Sequence, residues 1–126
     1  MRLLIAVAAV FALSSVGGAA QAKPAPKDRA CFFQGNVSSF RAPDEHNVYV
    51  RVGVRDIYQL EMMGACPQID WAEKVAIVTR GSQWICSGLD AELVSPTSIG
   101  PQRCPVKMLR KLTPAEAAAL PPKARP

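Results

Sequence analysis

The chain has 126 residues, of which 49% are hydrophobic and 20% charged, and its formal net charge is +5 at pH 7. This length suits one domain. The basic charge does not by itself indicate nucleic acid, because aromatic residues make up only 6% of the chain and do not alternate with basic ones as base-stacking platforms do.

The N-terminal residues 1–22 have the pattern of a secretory signal peptide. Arg2 precedes an apolar run from Leu3 to Leu13, and Ala20-Gln21-Ala22 matches an A-x-A cleavage site. The apolar run is too short to span a bilayer comfortably, and no second long apolar segment follows it. We therefore expect residues 1–22 to be removed, which leaves a periplasmic or secreted protein without a transmembrane segment.

The rest of the chain has the composition of one small domain with loose ends. Residues 23–29 are predicted to be a flexible, proline-rich lead-in, residues 30–120 a single β-rich domain, and residues 121–126 a basic, proline-rich tail. A domain of this size is marginally stable on hydrophobic burial alone, so covalent crosslinks are the usual remedy.

Four cysteines lie in the exported part of the chain, namely Cys31, Cys66, Cys86 and Cys104. Their even number, together with an oxidising compartment, predicts two disulfides. A metal site or a redox-active pair is disfavoured because the chain has no C-x-x-C motif and a single histidine. Three pairings are open. We prefer Cys31–Cys104 with Cys66–Cys86, because Cys31 opens the first predicted strand and Cys104 opens the last.

The first half of the domain predicts three strands. A strand over 31–40 leads to a cluster of turn residues at 42–47. The clearest signal is the alternation of valines at positions 48, 50, 52 and 54, which is typical of a half-buried strand. A tight turn at Arg55-Asp56 then returns the chain along 57–63, and Tyr58, Leu60 and Met62 share one face of this strand.

The second half predicts further strands and a short helix. The elements are a helical turn at 70–73, a hairpin of 74–79 with 84–86, and strands at 91–94 and 103–112 on either side of a loop at 95–102. Thr113-Pro114-Ala115-Glu116 begins a helix that Pro121 ends. The expected fold is mainly β, a small antiparallel meander of about six strands curled as a barrel or roll, with a short C-terminal helix and two disulfides.

Several short motifs occur in an order typical of one family. They are Asn47 to Gly53, Gly64-Ala65-Cys66-Pro67, Cys86-Ser87-Gly88 with an acidic residue after it, Arg103-Cys104-Pro105-Val106, and Leu112 to Glu116. Over 30–120 the chain resembles a family of small exported four-cysteine proteins of Gram-negative bacteria, a domain of unknown function. The resemblance implies an exported small domain and carries over no catalytic or ligand-binding residue. Leu89 separates Gly88 from the acidic Asp90, which departs from the family pattern.

No pattern of polar residues indicates a catalytic or metal site. His46 is the only histidine, and it lies in a turn without an accompanying G-x-S-x-G motif. The adjacent carboxylates of Asp44 and Glu45 point apart in an extended chain. Asp90 and Glu92 share a strand face, where acidic pairs are usually solvated rather than catalytic. We therefore predict no catalytic residue and no metal ligand.

The tryptophans and the basic residues near the C-terminus each allow two interpretations. Trp71 and Trp84 either fill the small core, which we expect, or line a ligand groove. The basic residues are Arg103, Lys107, Arg110 and Lys111. They form either a solvated face or a weak contact with an anionic surface, such as phosphate-bearing lipid headgroups.

These features predict an exported, non-enzymatic binding or structural module of the bacterial envelope, with no cofactor. Its partner is an unidentified envelope component or protein. The alternative is a small periplasmic hydrolase or hydrolase inhibitor. An inhibitor needs a rigid exposed loop, and the segment from Ser95 to Pro101 is the only candidate for one.

Overall fold

The computed structural model describes residues 31–126, so the predicted signal peptide and lead-in lie outside the described residues. The strands are β1 (Phe32–Phe33), β2 (Val37–Arg41), β3 (Asn47–Val52), β4 (Asp56–Met62), β5 (Ala76–Thr79), β6 (Trp84–Ile85), β7 (Ala91–Thr97) and β8 (Gly100–Lys111). One α-helix, α1, spans Pro114–Ala118. Single 3-10 turns lie at Gln34–Asn36, Ile69–Trp71, Gly88–Asp90 and Pro122–Ala124.

Six strands form one antiparallel sheet in the order β2-β3-β4-β8-β7-β5, and the sheet curves into a half-barrel. This confirms the mainly β, six-stranded fold. The order departs from a simple meander because β8, the last strand and with 12 residues the longest, lies at the centre between β4 and β7. The chain therefore passes from β4 to the opposite edge of the sheet before β5 begins.

The alternating valines of β3 place one face of the strand in the core, as predicted. Val48, Val50 and Val52 are exposed by only 0%, 1% and 9%, and Tyr58, Leu60 and Met62 of β4 are buried beside them. Val54 is instead fully outside the core, because β3 ends at Val52 and the turn begins at Gly53, whose φ is +63°. The predicted turn at Arg55-Asp56 is thus two residues too late.

β1 and β6 form a separate two-stranded ribbon, in which Phe32 lies opposite Ile85. The predicted hairpin of 74–79 with 84–86 is wrong, since β5 pairs with β7 instead. The side chains of Phe32 and Ile85 are buried, and the Phe32 ring lies 4.7 Å from that of Tyr58. Burial of these two side chains on the inner face of the sheet therefore holds β6 against β1 rather than against β5.

Both disulfides form, but their pairing is Cys31–Cys86 and Cys66–Cys104. The preferred pairing of Cys31 with Cys104 and of Cys66 with Cys86 is therefore wrong. The strand order explains the difference. The N–H of Met63 donates to the Pro105 carbonyl at 2.8 Å, so the chain leaving β4 runs beside β8 and reaches Cys104. Cys31 meanwhile enters the ribbon beside the end of β6.

The C-terminal segment packs against the outer side of the sheet. Thr113 and Glu116 form the predicted capping box at the start of α1. The sequence predicted a loose end after Leu120, but in the structure these residues pack against the rest of the domain. Ala124 is 1% exposed and shares a small apolar cluster with Ile57, Leu112 and Leu120. Two guanidinium nitrogens of Arg51 donate to a main-chain oxygen of Pro126, at 3.2 and 2.6 Å.

Candidate functional site

The structure places His46 in an exposed turn whose hydrogen bonds are structural. The carboxylate of Asp44 accepts hydrogen bonds from the backbone N–H groups of His46, at 2.7 Å, and Asn47, at 2.8 Å. Partial burial favours the neutral acid, but these donors outweigh it and hold the pKa of Asp44 below its usual range. Within residues 31–126 no three His, Cys, Asp or Glu side chains cluster as metal ligands do.

The other carboxylates that the sequence singled out also hold local structure. Glu45 accepts a hydrogen bond from the backbone N–H of Gln68 at 3.0 Å. The N–H groups of Cys86 and Ser87 donate to the Asp90 carboxylate at 3.0 and 2.9 Å, and they lower its pKa. Glu92 forms ion pairs elsewhere, so the structure does not bring Asp90 and Glu92 together as a pair of catalytic carboxylates.

The Cys86-Ser87-Gly88 motif brings the backbone of Gly88 into close contact with the backbone of β8. A Cβ atom on Gly88 would lie 2.5 Å from the carbonyl carbon of Lys107 and 2.6 Å from the nitrogen of Met108. Because this part of β8 is paired with β4, where Glu61 lies opposite Met108, its backbone has little room to move away. Asp90 closes the same turn through its bonds to Cys86 and Ser87, with Leu89 as the exposed residue between. The motif therefore has a structural explanation.

The four basic residues of β8 all have acidic partners on neighbouring elements. Arg103 pairs with Glu92 at 3.7 Å, Lys107 with Glu61 at 3.5 Å, and Lys111 with Asp56 at 3.3 Å; Arg110 pairs with Glu116. Cross-strand pairs of opposite charge support a sheet face exposed to water. These pairs favour the interpretation of a solvated face over that of an anion-binding surface.

Both tryptophans lie at the surface, so the expectation that they fill the core is wrong. Trp84 is 54% exposed and packs edge-on against Phe33, with the ring centroids 5.6 Å apart. Trp71 is 84% exposed. The core is filled instead by the aliphatic residues of the sheet and by Phe32 and Tyr58. An indole with so little contact to its own protein has a large apolar surface left for another molecule.

Trp71 borders an open cleft of about 300 Å³, which we call the Trp71 cleft. Its walls come from three distant parts of the chain: the end of β2, the 3-10 turn at Ile69–Trp71 and the C-terminal 3-10 turn. The lining residues are Phe40, Arg41, Ala42, Pro43, Ile69, Asp70, Trp71, Ala72 and Lys123. The cleft thus offers an indole, two cations and one carboxylate.

The wall that carries Trp71 is anchored at several points. Cys66 is fully buried and crosslinked to Cys104, and its N–H donates to the Glu45 carbonyl at 2.8 Å. Ile69, two residues before the tryptophan, is 1% exposed and packs in the core. Gln68, which lies between Cys66 and Ile69, has a φ of +60° and is the one non-glycine residue with positive φ among residues 31–126. Such backbone strain persists only where its surroundings enforce it.

The other two walls are equally well held. Arg41 ends β2 opposite Tyr49 of β3. Lys123 belongs to the turn that Ala124 anchors in the small apolar cluster. The backbone of all three walls is therefore held by pairing or burial, which lowers the entropy that the backbone loses when a ligand binds.

A second surface feature is the hairpin between β7 and β8. Ile99 at its tip is 97% exposed. The Thr97 hydroxyl and the backbone of Gly100 and Ile99 close the tip with hydrogen bonds, and the side chain of Gln102 donates to Ser95 at 2.9 Å and to the Pro67 carbonyl. The predicted loop at 95–102 is therefore too long, because β7 continues to Thr97 and β8 begins at Gly100, which leaves only Ser98 and Ile99 between the strands. The hairpin borders a second cleft, of about 410 Å³.

Sequence reasoning missed Arg41 and Lys123 because neither lies in a motif. For Trp71 the sequence allowed two positions, in the core or along a ligand groove, and the expectation favoured the core. Arg41 and Lys123 line the same cleft as Trp71 but lie 30 and 52 positions from it in the sequence, and no sequence pattern connects them.

No curated protein and no protein of solved structure matches the chain significantly. Among residues 31–126, no helix has the length and apolar character that crossing a membrane requires. One family model matches residues 1–126, which confirms the prediction that the chain is a domain of unknown function. The chain belongs to a family of unknown function (DUF6491).

Proposed function

We propose that this protein is an exported, non-catalytic binding module and that the Trp71 cleft takes its ligand. The observation that carries the proposal is an indole left 84% exposed beside a cleft, on a loop that a disulfide anchors. A ring that makes so little contact with its own protein leaves its apolar face available to a partner, and here that face borders a cleft.

The two disulfides indicate an oxidising, extracytoplasmic environment. The finer assignment, to the periplasm or the exterior after removal of residues 1–22, rests on the signal-peptide pattern. A rigid, crosslinked frame suits a binding module in that setting, because it keeps the cleft preorganised without the support of a large core.

The polar contacts support binding rather than catalysis. Asp44, Glu45 and Asp90 each accept hydrogen bonds from backbone N–H groups, and Glu92 is ion-paired with Arg80 and Arg103. A general acid or base needs a carboxylate or imidazole free to face a substrate. The charged residues of the Trp71 cleft are suited to recognition instead.

Native mass spectrometry tests this proposal on protein purified from the exported fraction of its own host. Wild type is expected to retain a small bound molecule, Trp71→Ala to lose it, and the matched variant Ile99→Ala to retain it. Both variants change a highly exposed apolar side chain, so both are expected to fold normally. Equal retention by Trp71→Ala and wild type contradicts the assignment of the cleft, and His46→Ala serves as a check that no histidine chemistry is involved.

The hairpin tip favours a second candidate function, inhibition of a protease. Substrate-like inhibitors present one exposed side chain on a rigid loop to an apolar specificity pocket, and Ile99 on its hydrogen-bonded hairpin has this geometry. The same two variants distinguish the candidates. Inhibition in a panel of envelope proteases that is lost in Ile99→Ala and kept in Trp71→Ala supports the inhibitor.

A further inference from the structure

Arg41 and Lys123, the cations of the Trp71 cleft, differ from the basic residues of β8 in forming no ion pair among residues 31–126. All ion pairs formed among residues 31–126 involve Arg80, Arg103, Lys107, Arg110 or Lys111. Arg41 and Lys123 take part in none of them. Their positive charge is therefore available to a ligand, whereas the charge of the β8 residues is already compensated within the protein.

The charges lining the cleft favour an anion that also carries hydroxyl groups. Arg41 and Lys123 outnumber the single carboxylate, Asp70, so an anionic group on the ligand is attracted overall. Asp70 repels a bare anion but accepts hydrogen bonds from hydroxyl groups. A molecule with one anionic substituent and several hydroxyls satisfies both kinds of side chain, while a fatty acid or a simple phosphate ion satisfies only the cations.

The indole and the size of the cleft define the rest of the ligand. A volume of about 300 Å³ is at the lower end of the range for small-molecule sites, and the cleft is open to water on one side. The flat face of Trp71 suits a ring that stacks on one side and keeps its other side hydrated. A pyranose ring, apolar on its faces and polar at its edge, has this character.

Given the proposed binding function on which this step rests, we propose that the Trp71 cleft binds a sugar ring bearing a carboxylate or phosphate group. The ring stacks on the indole of Trp71. The anionic group lies between Arg41 and Lys123, and ring hydroxyls donate to Asp70. The carboxylate of a uronic acid and the phosphate of a sugar phosphate share this chemistry, and the experiment separates the two.

The test uses intrinsic fluorescence. The chain has two tryptophans, so Trp84→Phe leaves Trp71 as the only indole. This variant is titrated with a galacturonic acid disaccharide, with glucose 6-phosphate, with the matched neutral sugars galactobiose and glucose, and with inorganic phosphate alone. We expect a saturable change in emission with one or both anionic sugars and binding at least tenfold weaker for the neutral sugars and for phosphate.

Charge variants identify the residues involved. Arg41→Gln and Lys123→Gln are each expected to weaken binding of the anionic sugar about tenfold, the loss typical of one charged hydrogen bond. Arg55→Gln is the matched control, because it removes an exposed cation from the β3–β4 turn, outside the cleft. Equal weakening by all three variants indicates nonspecific charge attraction and overturns the inference.

The remaining outcomes separate this inference from the proposed function. Binding of neutral and anionic sugars with equal affinity overturns the requirement for an anion, and binding of phosphate as tight as that of glucose 6-phosphate overturns the requirement for a sugar. If no sugar binds while the host-derived molecule is still lost in Trp71→Ala, the ligand class is wrong and the binding function stands. If neither is seen, both proposals fail.

Discussion

Removing each disulfide separately tests whether packing or loop closure determines the stability of this domain. The Cys31–Cys86 bond spans a sequence separation of 55 residues and the Cys66–Cys104 bond one of 38. On loop-closure entropy alone, these separations correspond to about 4.2 and about 3.9 kcal/mol of the free energy of unfolding. Loop closure therefore predicts that the loss of Cys31–Cys86 is slightly the more damaging.

Packing reverses this order. Cys66 and Cys104 are 0% and 6% exposed, whereas Cys31 and Cys86 are only partly buried. Replacing the buried pair by alanine removes two sulfur atoms from the core, at a cost of about 1 kcal/mol each in addition to the entropy. We expect Cys66→Ala/Cys104→Ala to lose about 6 kcal/mol and Cys31→Ala/Cys86→Ala to lose between about 4 and 5 kcal/mol.

Urea denaturation of the two double variants, each with its remaining disulfide intact, measures this difference. A loss of about 6 kcal/mol is comparable to the whole stability of a small domain, so the first variant is expected to be largely unfolded without urea. If Cys31→Ala/Cys86→Ala is the less stable protein, the reasoning from burial is refuted. Thiol labelling of Cys31→Ala checks the pairing itself, since the free thiol must appear at Cys86 and not at Cys104.

Three further outcomes are expected. Gly88→Ala forces a Cβ against the Lys107 backbone and should destabilise the protein by about 3 kcal/mol, measured from its urea midpoint. The backbone N–H groups of Cys86 and Ser87 hold the pKa of Asp90 in the folded protein below its usual value of 3.8, so the stabilisation is present above 3.8 and is lost as the pH falls through the folded pKa. Asp90→Asn should remove this part of the acid sensitivity of the free energy of unfolding. The exported protein should begin at Lys23 by intact mass, and a mass that retains Met1 contradicts the signal peptide.

The strands were predictable where the side-chain pattern is local. β3 and β4 follow from the alternation of Val48, Val50 and Val52 and of Tyr58, Leu60 and Met62, because a half-buried strand must place every second residue in the core. The capping box at Thr113 likewise acts within four residues. Such signals need no knowledge of how the elements are arranged.

The disulfide pairing and the position of β6 were not predictable in the same way. Both depend on which strands are neighbours in the sheet. The decisive neighbour is β8, which comes last in the chain and yet lies at the centre of the sheet. Phe32 and Ile85 would be apolar whether β6 paired with β1 or with β5, so the pattern of apolar residues does not reveal which strand is the partner of β6. The local pattern of side chains therefore identified the strands but not their order in the sheet.

The Trp71 cleft was beyond prediction for a related reason. The sequence alone does not distinguish an exposed tryptophan from a buried one, and we expected burial because most tryptophans are largely buried. Arg41 and Lys123 meet Trp71 only because the end of β2, the segment after Cys66 and the C-terminal turn converge in space. The site is thus a property of the topology.

The positive φ of Gln68 offers a direct test of how firmly the Trp71 wall is held. Asparagine tolerates the left-handed region whereas valine does not, and the Gln68 side chain is exposed, so Gln68→Asn and Gln68→Val differ mainly in backbone preference. We expect Gln68→Asn to match or slightly exceed wild type and Gln68→Val to be less stable by about 1 to 2 kcal/mol, measured from urea midpoints at equal slopes.

The same pair of variants connects this strain to the cleft. If the loop relaxes Gln68→Val to a negative φ, the turn that carries Ile69 and Trp71 must move relative to Cys66. Acrylamide quenching of the Trp71 indole in the Trp84→Phe background should then change in Gln68→Val and stay constant in Gln68→Asn. A Gln68→Val protein with wild-type stability and unchanged quenching contradicts a constrained loop. The anchors at Cys66 and Ile69 would then hold the tryptophan without any contribution from the backbone between them.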